Sequence, residues 1–303
     1  MTTSPAPHIA PGDSRTTGRG ASRPDWSWLG LLPFAAYIAL FLALPTALAL
    51  ATGLVDGDGA FTLANLAALV DPVVLATFAN STWVSLLTAG IGAVVGALVC
   101  WAMLGLRDGG LVRTTVDAAS GVLAQFGGVM LAFVMIAAIG TQGIVTRFLA
   151  DVLGIELYAE SAWIYALPGL VPAYIVFQVP LMIITFMPAL SALKPQWGEA
   201  HVTLGGTRAG FWPHVGFPVL APSFLASFLL LFANAFSSYA TAAALASQGS
   251  QIVPLQIRAA LTSETVLGRE NLAGALAFGM IVVVAAVMGG YTLIQRRAAR
   301  WQR

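Results

Sequence analysis

Charged side chains are scarce in this sequence. They account for 9% of its 303 residues, whereas soluble domains carry about 25%. Hydrophobic residues make up 58% of the chain, and its mean hydropathy is +0.84. This composition excludes a soluble globular protein and predicts an integral membrane protein. The formal net charge is +1 and no basic patch is interleaved with aromatic residues, so the sequence gives no indication of nucleic-acid binding.

Cysteine and histidine, which hold many metals and carry redox chemistry, are also rare. The single cysteine, Cys100, excludes a disulfide within the chain, and its apolar neighbours predict a small buried side chain rather than a redox group. The three histidines are His8, His201 and His214, and their spacing fits no metal site. We interpret His201 and His214 as solvated or headgroup-facing side chains. No metal or other cofactor is expected on this chain.

Sequence motifs of catalysis are missing as well. Lys194 is the only lysine, and Pro195 follows it where a Walker A motif would need Ser or Thr. The chain is therefore not expected to hydrolyse ATP itself. No Gly-x-Ser-x-Gly elbow of a hydrolase is present. The sequence predicts a protein that is not an enzyme.

The sequence is rich in long apolar segments. Six of them have the roughly 20 residues needed to cross a bilayer. They lie at 28–51, within 77–106, and at 116–139, 166–190, 219–245 and 271–295. Ala49-Leu50-Ala51 resembles a signal-peptide cleavage site, but the first segment is long enough to span and makes the number of crossings even. We therefore predict an all-α polytopic membrane protein with six transmembrane helices.

The two ends of the chain differ from this apolar part. We divide the sequence into a disordered Pro-, Ser-, Thr- and Gly-rich tail, a transmembrane domain and a basic tail, at residues 1–27, 28–296 and 297–303. With both termini in the cytoplasm, only Arg147, Arg258 and Arg269 of the 14 lysine and arginine residues lie outside. The positive-inside rule thus predicts a multi-pass protein of the cytoplasmic (inner) membrane with cytoplasmic termini.

Two of the membrane segments carry local signals. Thr114 or Thr115 is predicted to cap the third helix, which would place Asp117 in its first turn, where the helix dipole favours a carboxylate. The fourth helix is expected to be kinked because it contains several prolines. These are Pro168, Pro172, Pro180 and Pro188.

The polar loop at 191–218, between the fourth and fifth helices, is the organising feature of the sequence. Pro195 suits the first turn of a helix, and Gly205-Gly206 is expected to turn the backbone because glycine accepts dihedrals that other residues resist. The aromatic residues of the loop are predicted to pack against the bundle: Phe211, Trp212 and Phe217. Pro218 would mark the entry into the fifth helix. We predict a short helix on the cytoplasmic side of the membrane to which another protein can bind.

The spacing in this loop resembles the cytoplasmic EAA loop of the permease subunits of binding-protein-dependent ABC importers. That pattern is Glu-Ala-Ala, three residues, Gly, nine residues, Ile, one residue and Leu-Pro. The matching positions of this chain are Glu199, Ala200, Gly205 and Pro218, with Val215 as a conservative replacement. His201 stands in place of the second alanine, and Phe217 in place of the leucine.

The resemblance implies a set of partners. Residues 199–204 would form a coupling helix that docks in a cleft of an ATPase subunit, with Glu199 against a basic residue of that subunit. The alternative for Glu199 is a solvated carboxylate near a helix N-terminus. Two ATPase subunits, a second permease subunit that is homologous or identical, and an external substrate-binding protein are also implied, in a complex surrounded by membrane lipid.

Polar residues inside the predicted spans have two interpretations. The fourth helix contains Gln178, and the fifth contains Asn234, Ser237, Ser238 and Tyr239. They line a translocation path, or they form the helix–helix hydrogen bonds that are common among membrane spans. The sequence leaves both interpretations open.

The segment 251–258, on the predicted external side, is apolar enough to form a short amphipathic gate helix. Together with residues 232–236 and Asn271-Leu272, it is similar to permeases for spermidine/putrescine-type uptake. A polyamine site would want carboxylates, and the interior of the predicted spans contains none.

We therefore predict a transmembrane permease subunit of a type I ABC importer for polyamine-like or other small solutes. Its coupling helix would pass the movement of separate ATPase subunits through Pro218 to the fifth helix. One alternative is a secondary active transporter, which would carry its own coupling charges. The other is a membrane assembly protein, which would leave the loop spacing unexplained.

Overall fold

The structure is a computed structural model that describes residues 30–56, 59–107, 109–246, 252–262 and 269–300. Within that part, regular structure is helical apart from one isolated antiparallel bridge between Val55 and Phe61. The contacts divide the chain into two units, Met1–Ala47 and Leu48–Arg303. The predicted tail at 1–27 lies outside the described residues, and the predicted basic tail begins inside the last helix, which continues to Arg300.

Twelve helices are described. They are α1 (Leu32–Thr52, with a π-helical turn at Ala39–Ala43), α2 (Ala64–Ala67), α3 (Pro72–Met103), α4 (Leu111–Leu123), α5 (Gly128–Ile139), α6 (Ile144–Leu153), α7 (Leu167–Ser191), α8 (Pro195–Thr203), α9 (Trp212–Phe236, π-helical over Trp212–Gly216), α10 (Ala240–Leu245), α11 (Val253–Leu261) and α12 (Arg269–Arg300). Short 3-10 turns lie at Ala68–Val70 and Trp163–Tyr165.

Six helical segments have the length and composition of membrane spans. They are Leu32–Thr52, Pro72–Met103, Gly128–Leu153, Leu167–Ser191, Trp212–Phe236 and Asn271–Leu293. This confirms the predicted all-α fold with six spans and with a short helix, α8, between the fourth and the fifth.

The second span, α3, begins five residues before the predicted position. The carboxylate of Asp71 accepts a 2.8 Å hydrogen bond from the backbone N–H of Val73 and so caps the helix. Pro72 occupies the first turn, where its missing N–H costs nothing and its fixed φ suits the helix.

The centre of the bundle is the packing of α3 against α7, which depends on two glycines. A Cβ built on Gly96 would lie 2.5 Å from the Cβ of Met182, and one built on Gly92 would lie 2.8 Å from the Cβ of Gln178. Only a hydrogen at these positions lets the two backbones approach so closely. Such close contacts hold membrane helices together because lipid tails provide no hydrophobic driving force between spans.

Two apolar clusters surround this contact. One joins α5, α7 and α10 and includes Leu131, Tyr174 and Leu245, all of which are buried. The other joins α3, α7 and α9 and includes Met182, Phe186, Leu231 and Phe236. The fourth span, α7, contributes to both clusters and is the most buried of the six spans.

The prediction of one continuous third helix over 116–139 is wrong. The structure has α4, then a turn, then α5, whose first residue, Gly128, has a φ of +72° that favours glycine. α4 begins at Leu111 and has no side-chain cap, so Thr114 and Thr115 do not cap it and Asp117 lies beyond its first turn. Residues 141–161, which lie between the predicted third and fourth helices, contain the helix α6, and the third candidate span combines α5 and α6.

The predicted fifth helix, 219–245, is displaced and interrupted. It begins earlier, at Trp212, with a π-helical turn in which the backbone N–H of Phe217 bonds to the carbonyl oxygen of Trp212. Pro218 follows directly and has no N–H for a normal helical bond, which explains why the wider turn forms here. At the other end, α9 stops at Phe236, and α10 resumes at Ala240.

Candidate functional site

The short helix that the sequence predicts between the fourth and fifth spans is present as α8. Pro195 lies in its first turn, and its C-terminus is closed by Gly205, whose φ is +89°. The backbone N–H of Gly205 bonds to the carbonyl oxygen of Val202 at 3.0 Å, and that of Gly206 bonds to the carbonyl oxygen of His201 at 2.9 Å. These two bonds form a Schellman motif, which satisfies carbonyls that the helix end leaves without partners. The Gly205-Gly206 turn is therefore as predicted.

The side chain of His201 supports this turn from inside. Its ring lies so close to Gly206 that a Cβ there would be 2.2 Å from Nε2, and a Cβ on Gly210 would be 3.3 Å from the same atom. The ring centroid lies 6.2 Å from those of Phe211 and His214. His201 Nε2 is buried and has no hydrogen-bond partner. The prediction of a solvated or headgroup-facing His201 is wrong, because the ring packs inside the loop.

The outer surface of α8 is exposed and mixed in chemistry. Glu199 and Ala200 are exposed, and so are the apolar side chains of Val202 and Leu204, the latter to 87%. Glu199 also lines a surface cavity of about 520 Å³ together with Pro195, Gly198, Val202, Thr203, Arg208 and Phe211. A carboxylate flanked by exposed apolar groups is suited to contact with another protein.

The connection from α8 into the fifth span carries the remaining motif positions. Val215 is half-buried in the π-helical turn, and Pro218 lies in the first α-helical turn that follows it. Trp212 is partly buried as predicted, but the predicted burial of Phe217 is wrong, since it is 63% exposed and lines an apolar groove with Trp101. Continuous helical structure therefore joins the loop to α9.

A second site lies where α9 ends and α10 begins. The hydroxyl of Tyr174 donates a 3.0 Å hydrogen bond to the carbonyl oxygen of Ser238, one of the backbone groups freed by the interruption. The hydroxyl of Thr241 accepts a 2.9 Å bond from the backbone N–H of Gly128, at the similar break before α5. Irregular backbone at membrane depth persists only where its polar groups are satisfied in this way or face water.

Polar side chains are exposed beside this break. Asn234, Ser237 and Tyr239 are exposed, and the guanidinium carbon of Arg258 lies 6.0 Å from the centre of the Tyr239 ring. Exposed polar groups on a membrane span are costly against lipid and are typical of a water-filled path or a protein contact. We call Asn234, Ser237, Ser238 and Tyr239 the polar break.

Gln178, the other predicted path residue, lies elsewhere. Its side chain is fully buried between α3 and α7, where its amide nitrogen donates a 2.9 Å hydrogen bond to the hydroxyl of Thr88. Its amide oxygen has no hydrogen-bond partner. This geometry is that of a hydrogen bond between two membrane helices, and it places Gln178 away from the polar break.

Three contributors to these sites were not identified from the sequence. Tyr174 donates a hydrogen bond to the carbonyl oxygen of Ser238, and the guanidinium of Arg258 lies over the ring of Tyr239. Ser81 accepts a 2.8 Å hydrogen bond from the backbone N–H of Val253 at the start of α11. Ser81 and Val253 are 172 residues apart, so no local pattern links them. Among the described residues, no group of three or more His, Cys, Asp or Glu side chains is arranged to hold a metal ion.

Known proteins resemble this chain in sequence. No protein-family model matches it. The sulfate transport system permease protein CysT of Synechocystis sp. is 28% identical over 215 residues, 70% of this chain and 69% of that protein. CysT of Salmonella typhimurium is 23% identical over 171 residues, 56% of this chain and 58% of that protein. A spermidine/putrescine transport system permease protein PotC homolog of Mycoplasma genitalium is 26% identical over 134 residues, 44% of each chain. The chain thus spans less than two thirds of the length of two of these relatives.

Solved structures resemble it in fold. A chain of a bacterial ABC transporter involved in the import of the acidic polysaccharide alginate matches with a TM-score of 0.74 at 15% identity, over 90% of this chain and 96% of that chain. A bacterial alginate ABC transporter in complex with alginate pentasaccharide-bound periplasmic protein matches with a TM-score of 0.72 at 15% identity, over 90% and 95%. The chain is therefore similar in sequence to permease proteins of transport systems and similar in fold to a chain of bacterial ABC transporters.

Proposed function

We propose that this chain is a transmembrane permease subunit of a binding-protein-dependent ABC importer. The observation that carries the proposal is α8, a short exposed helix between the fourth and fifth spans. It presents Glu199 and is closed by the Gly205 turn at the spacing of the EAA loop. A secondary transporter or an assembly protein would have no use for such a helix at this position.

Coupling would use α8 and its connection to the fifth span. An ATPase subunit would bind the exposed surface around Glu199, Val202 and Leu204. The His201 ring keeps the loop rigid, and helical structure from Trp212 onward passes the displacement to α9. Such a device shifts the equilibrium between two conformations only if the ATPase contacts differ between them.

Transport would take place along the polar break. Asn234, Ser237 and Tyr239 offer polar groups on an otherwise apolar surface. A second permease subunit, homologous or identical, would cover this surface and close the path. The remaining partners would be two ATPase subunits, which carry out all ATP hydrolysis, and an external binding protein. The chain would lie in the cytoplasmic membrane with both termini inside.

Two classes of solute are candidates for transport by this chain. The similarity of the C-terminal third to spermidine/putrescine permeases makes a polyamine one candidate, and relatives named for sulfate make an oxyanion another. These two solute classes make opposite demands on the charge along the path.

The experiment is co-purification of the tagged chain with a candidate ATPase subunit, with ATP hydrolysis measured after reconstitution with a candidate binding protein. Glu199→Arg is expected to lose ATPase association or stimulated hydrolysis while still eluting as a folded protein. Glu160→Arg, an exposed carboxylate between α6 and α7, is the matched control and should couple normally. Absence of any ATPase with the wild type, or normal coupling by Glu199→Arg, would contradict the proposal.

A further inference from the structure

Arg258 is held at a defined position by the anchoring of α11. The backbone N–H of Val253, at the first turn of that helix, donates a 2.8 Å hydrogen bond to the hydroxyl of Ser81 on α3. Val253 and Pro254 are buried, whereas Arg258 is exposed. The helix therefore fixes the start of the Arg258 side chain and leaves its charged end accessible.

The guanidinium of Arg258 lies over the ring of Tyr239, with its carbon 6.0 Å from the ring centre. This distance is that of a cation–π contact. The guanidinium carries five N–H donors, and the exposure of the side chain makes them accessible to a solute. Among the side chains that the structure describes, which do not include those of Glu264 and Glu270, no carboxylate forms an ion pair with Arg258.

No opposite charge compensates this cation from the neighbouring spans. Pro72–Met103, Leu167–Ser191, Trp212–Phe236 and Asn271–Leu293 contain no Asp or Glu. The polar groups exposed near Tyr239 belong to neutral side chains, namely Asn234 and Ser237. Arg258 therefore brings one positive charge beside the polar break, and these spans bring no negative charge to it.

We propose that Arg258, held by Tyr239, selects solutes that carry an oxyanion group, such as a carboxylate or a sulfate. The planar guanidinium offers two parallel N–H donors to such a group, which gives short charge-assisted hydrogen bonds. A polyamine would meet repulsion from the Arg258 charge at the same point, and the spans named above offer it no carboxylate. This inference rests on the proposed function and favours an oxyanion over the polyamine candidate.

The phosphate of a lipid headgroup has the same chemistry as these solutes. The surroundings favour the solute, because Tyr239 belongs to the polar break, where Asn234 and Ser237 are also exposed. A surface that faced lipid would present apolar side chains at this depth. The test must still separate the two sources.

The experiment uses the complete importer in phosphatidylcholine vesicles and measures ATP-dependent uptake of radiolabelled sulfate, a short oligouronate and spermidine. Wild type is expected to take up at least one of the two oxyanions and no spermidine. Arg258→Gln should lower that uptake about tenfold, and Arg258→Lys should lower it less, because it keeps the charge but loses the planar pair of donors. Arg147→Gln, which removes an exposed arginine bonded to Gln142, should leave uptake within about twofold of wild type.

Three outcomes would overturn the inference and leave the proposed function intact, provided that the ATPase still co-purifies. They are uptake of spermidine alone, uptake of neither oxyanion, and unchanged oxyanion uptake by an Arg258→Gln protein that elutes as a folded species. A fourth is a defect of Arg258→Gln that occurs only in vesicles containing phosphatidylglycerol, which would assign the arginine to a lipid headgroup. Failure of the wild type to retain an ATPase would instead overturn the proposed function and this inference together.

Discussion

The imidazole of His201 lies directly against Gly206, where a Cβ would come within 2.2 Å of its Nε2 atom. The ring thereby fills the space beneath the turn that ends α8. In the EAA pattern this position is an alanine, so the larger side chain has to be matched by the glycine that faces it. The loop is held by this pair as well as by the Schellman hydrogen bonds.

Substitution of Gly206 by alanine is expected to loosen the loop. The added methyl group would overlap the His201 ring, and overpacking of this kind costs about 1–3 kcal/mol. Trypsin cleavage after the exposed Arg208 should become about tenfold faster, since a tenfold change in the open population corresponds to about 1.4 kcal/mol.

The control for this prediction is Gly198→Ala in α8, the helix that this turn ends, where a Cβ meets no atom within 4 Å and cleavage should not accelerate. His201→Ala together with Gly206→Ala removes the overlap and should be cleaved more slowly than Gly206→Ala alone. Equal cleavage of the single and double variants would show that His201 and Gly206 are not coupled.

Substitution of Gly96 by alanine is expected to destabilise the whole bundle. Its Cβ would lie 2.5 Å from the Cβ of Met182, which would force α3 away from α7 at a cost of about 1–3 kcal/mol. Cys100 provides the measurement, because it is the only cysteine and is buried. A thiol-reactive dye therefore reports unfolding on heating, and labelling should begin at a lower temperature.

Gly90→Ala is the matched control on the same helix. A Cβ at Gly90 meets no atom within 4 Å, so this variant should be as stable as wild type or gain up to about 1 kcal/mol from the helix propensity of alanine. If both variants melted at the same temperature, the close approach of α3 and α7 would not depend on Gly96.

Removal of the hydroxyl of Thr88 is expected to affect stability but not transport. Thr88→Val leaves the amide nitrogen of Gln178 buried without its partner, which costs about 1–3 kcal/mol. Thr88→Val combined with Gln178→Leu removes both polar partners and should recover most of that stability. Dye labelling of Cys100 measures the stability of both variants.

Transport distinguishes the two interpretations of Gln178. If it serves only the contact between α3 and α7, uptake per folded protein by the double variant should equal that of wild type. A large loss of uptake in a stable double variant would place Gln178 on the translocation path instead.

The sequence by itself was sufficient to predict features that depend on neighbouring residues. Six apolar runs of about 20 residues predict six spans, because the thickness of the bilayer sets the length of a helix that crosses it. Pro195 and Gly205 likewise mark the two ends of α8 through their own backbone preferences. No knowledge of distant contacts was needed for these predictions.

Only the tertiary structure decided where the third and fifth helices break. The interruption after Phe236 is stabilised by the Tyr174 hydroxyl, 64 residues away, and the start of α5 by Thr241, 113 residues away. An isolated apolar segment would continue as a helix, because every backbone group in lipid needs a partner and the next turn is the nearest source of one. A break becomes stable when a remote side chain provides that partner. The packing of the bundle therefore placed the polar break and brought Arg258 beside it.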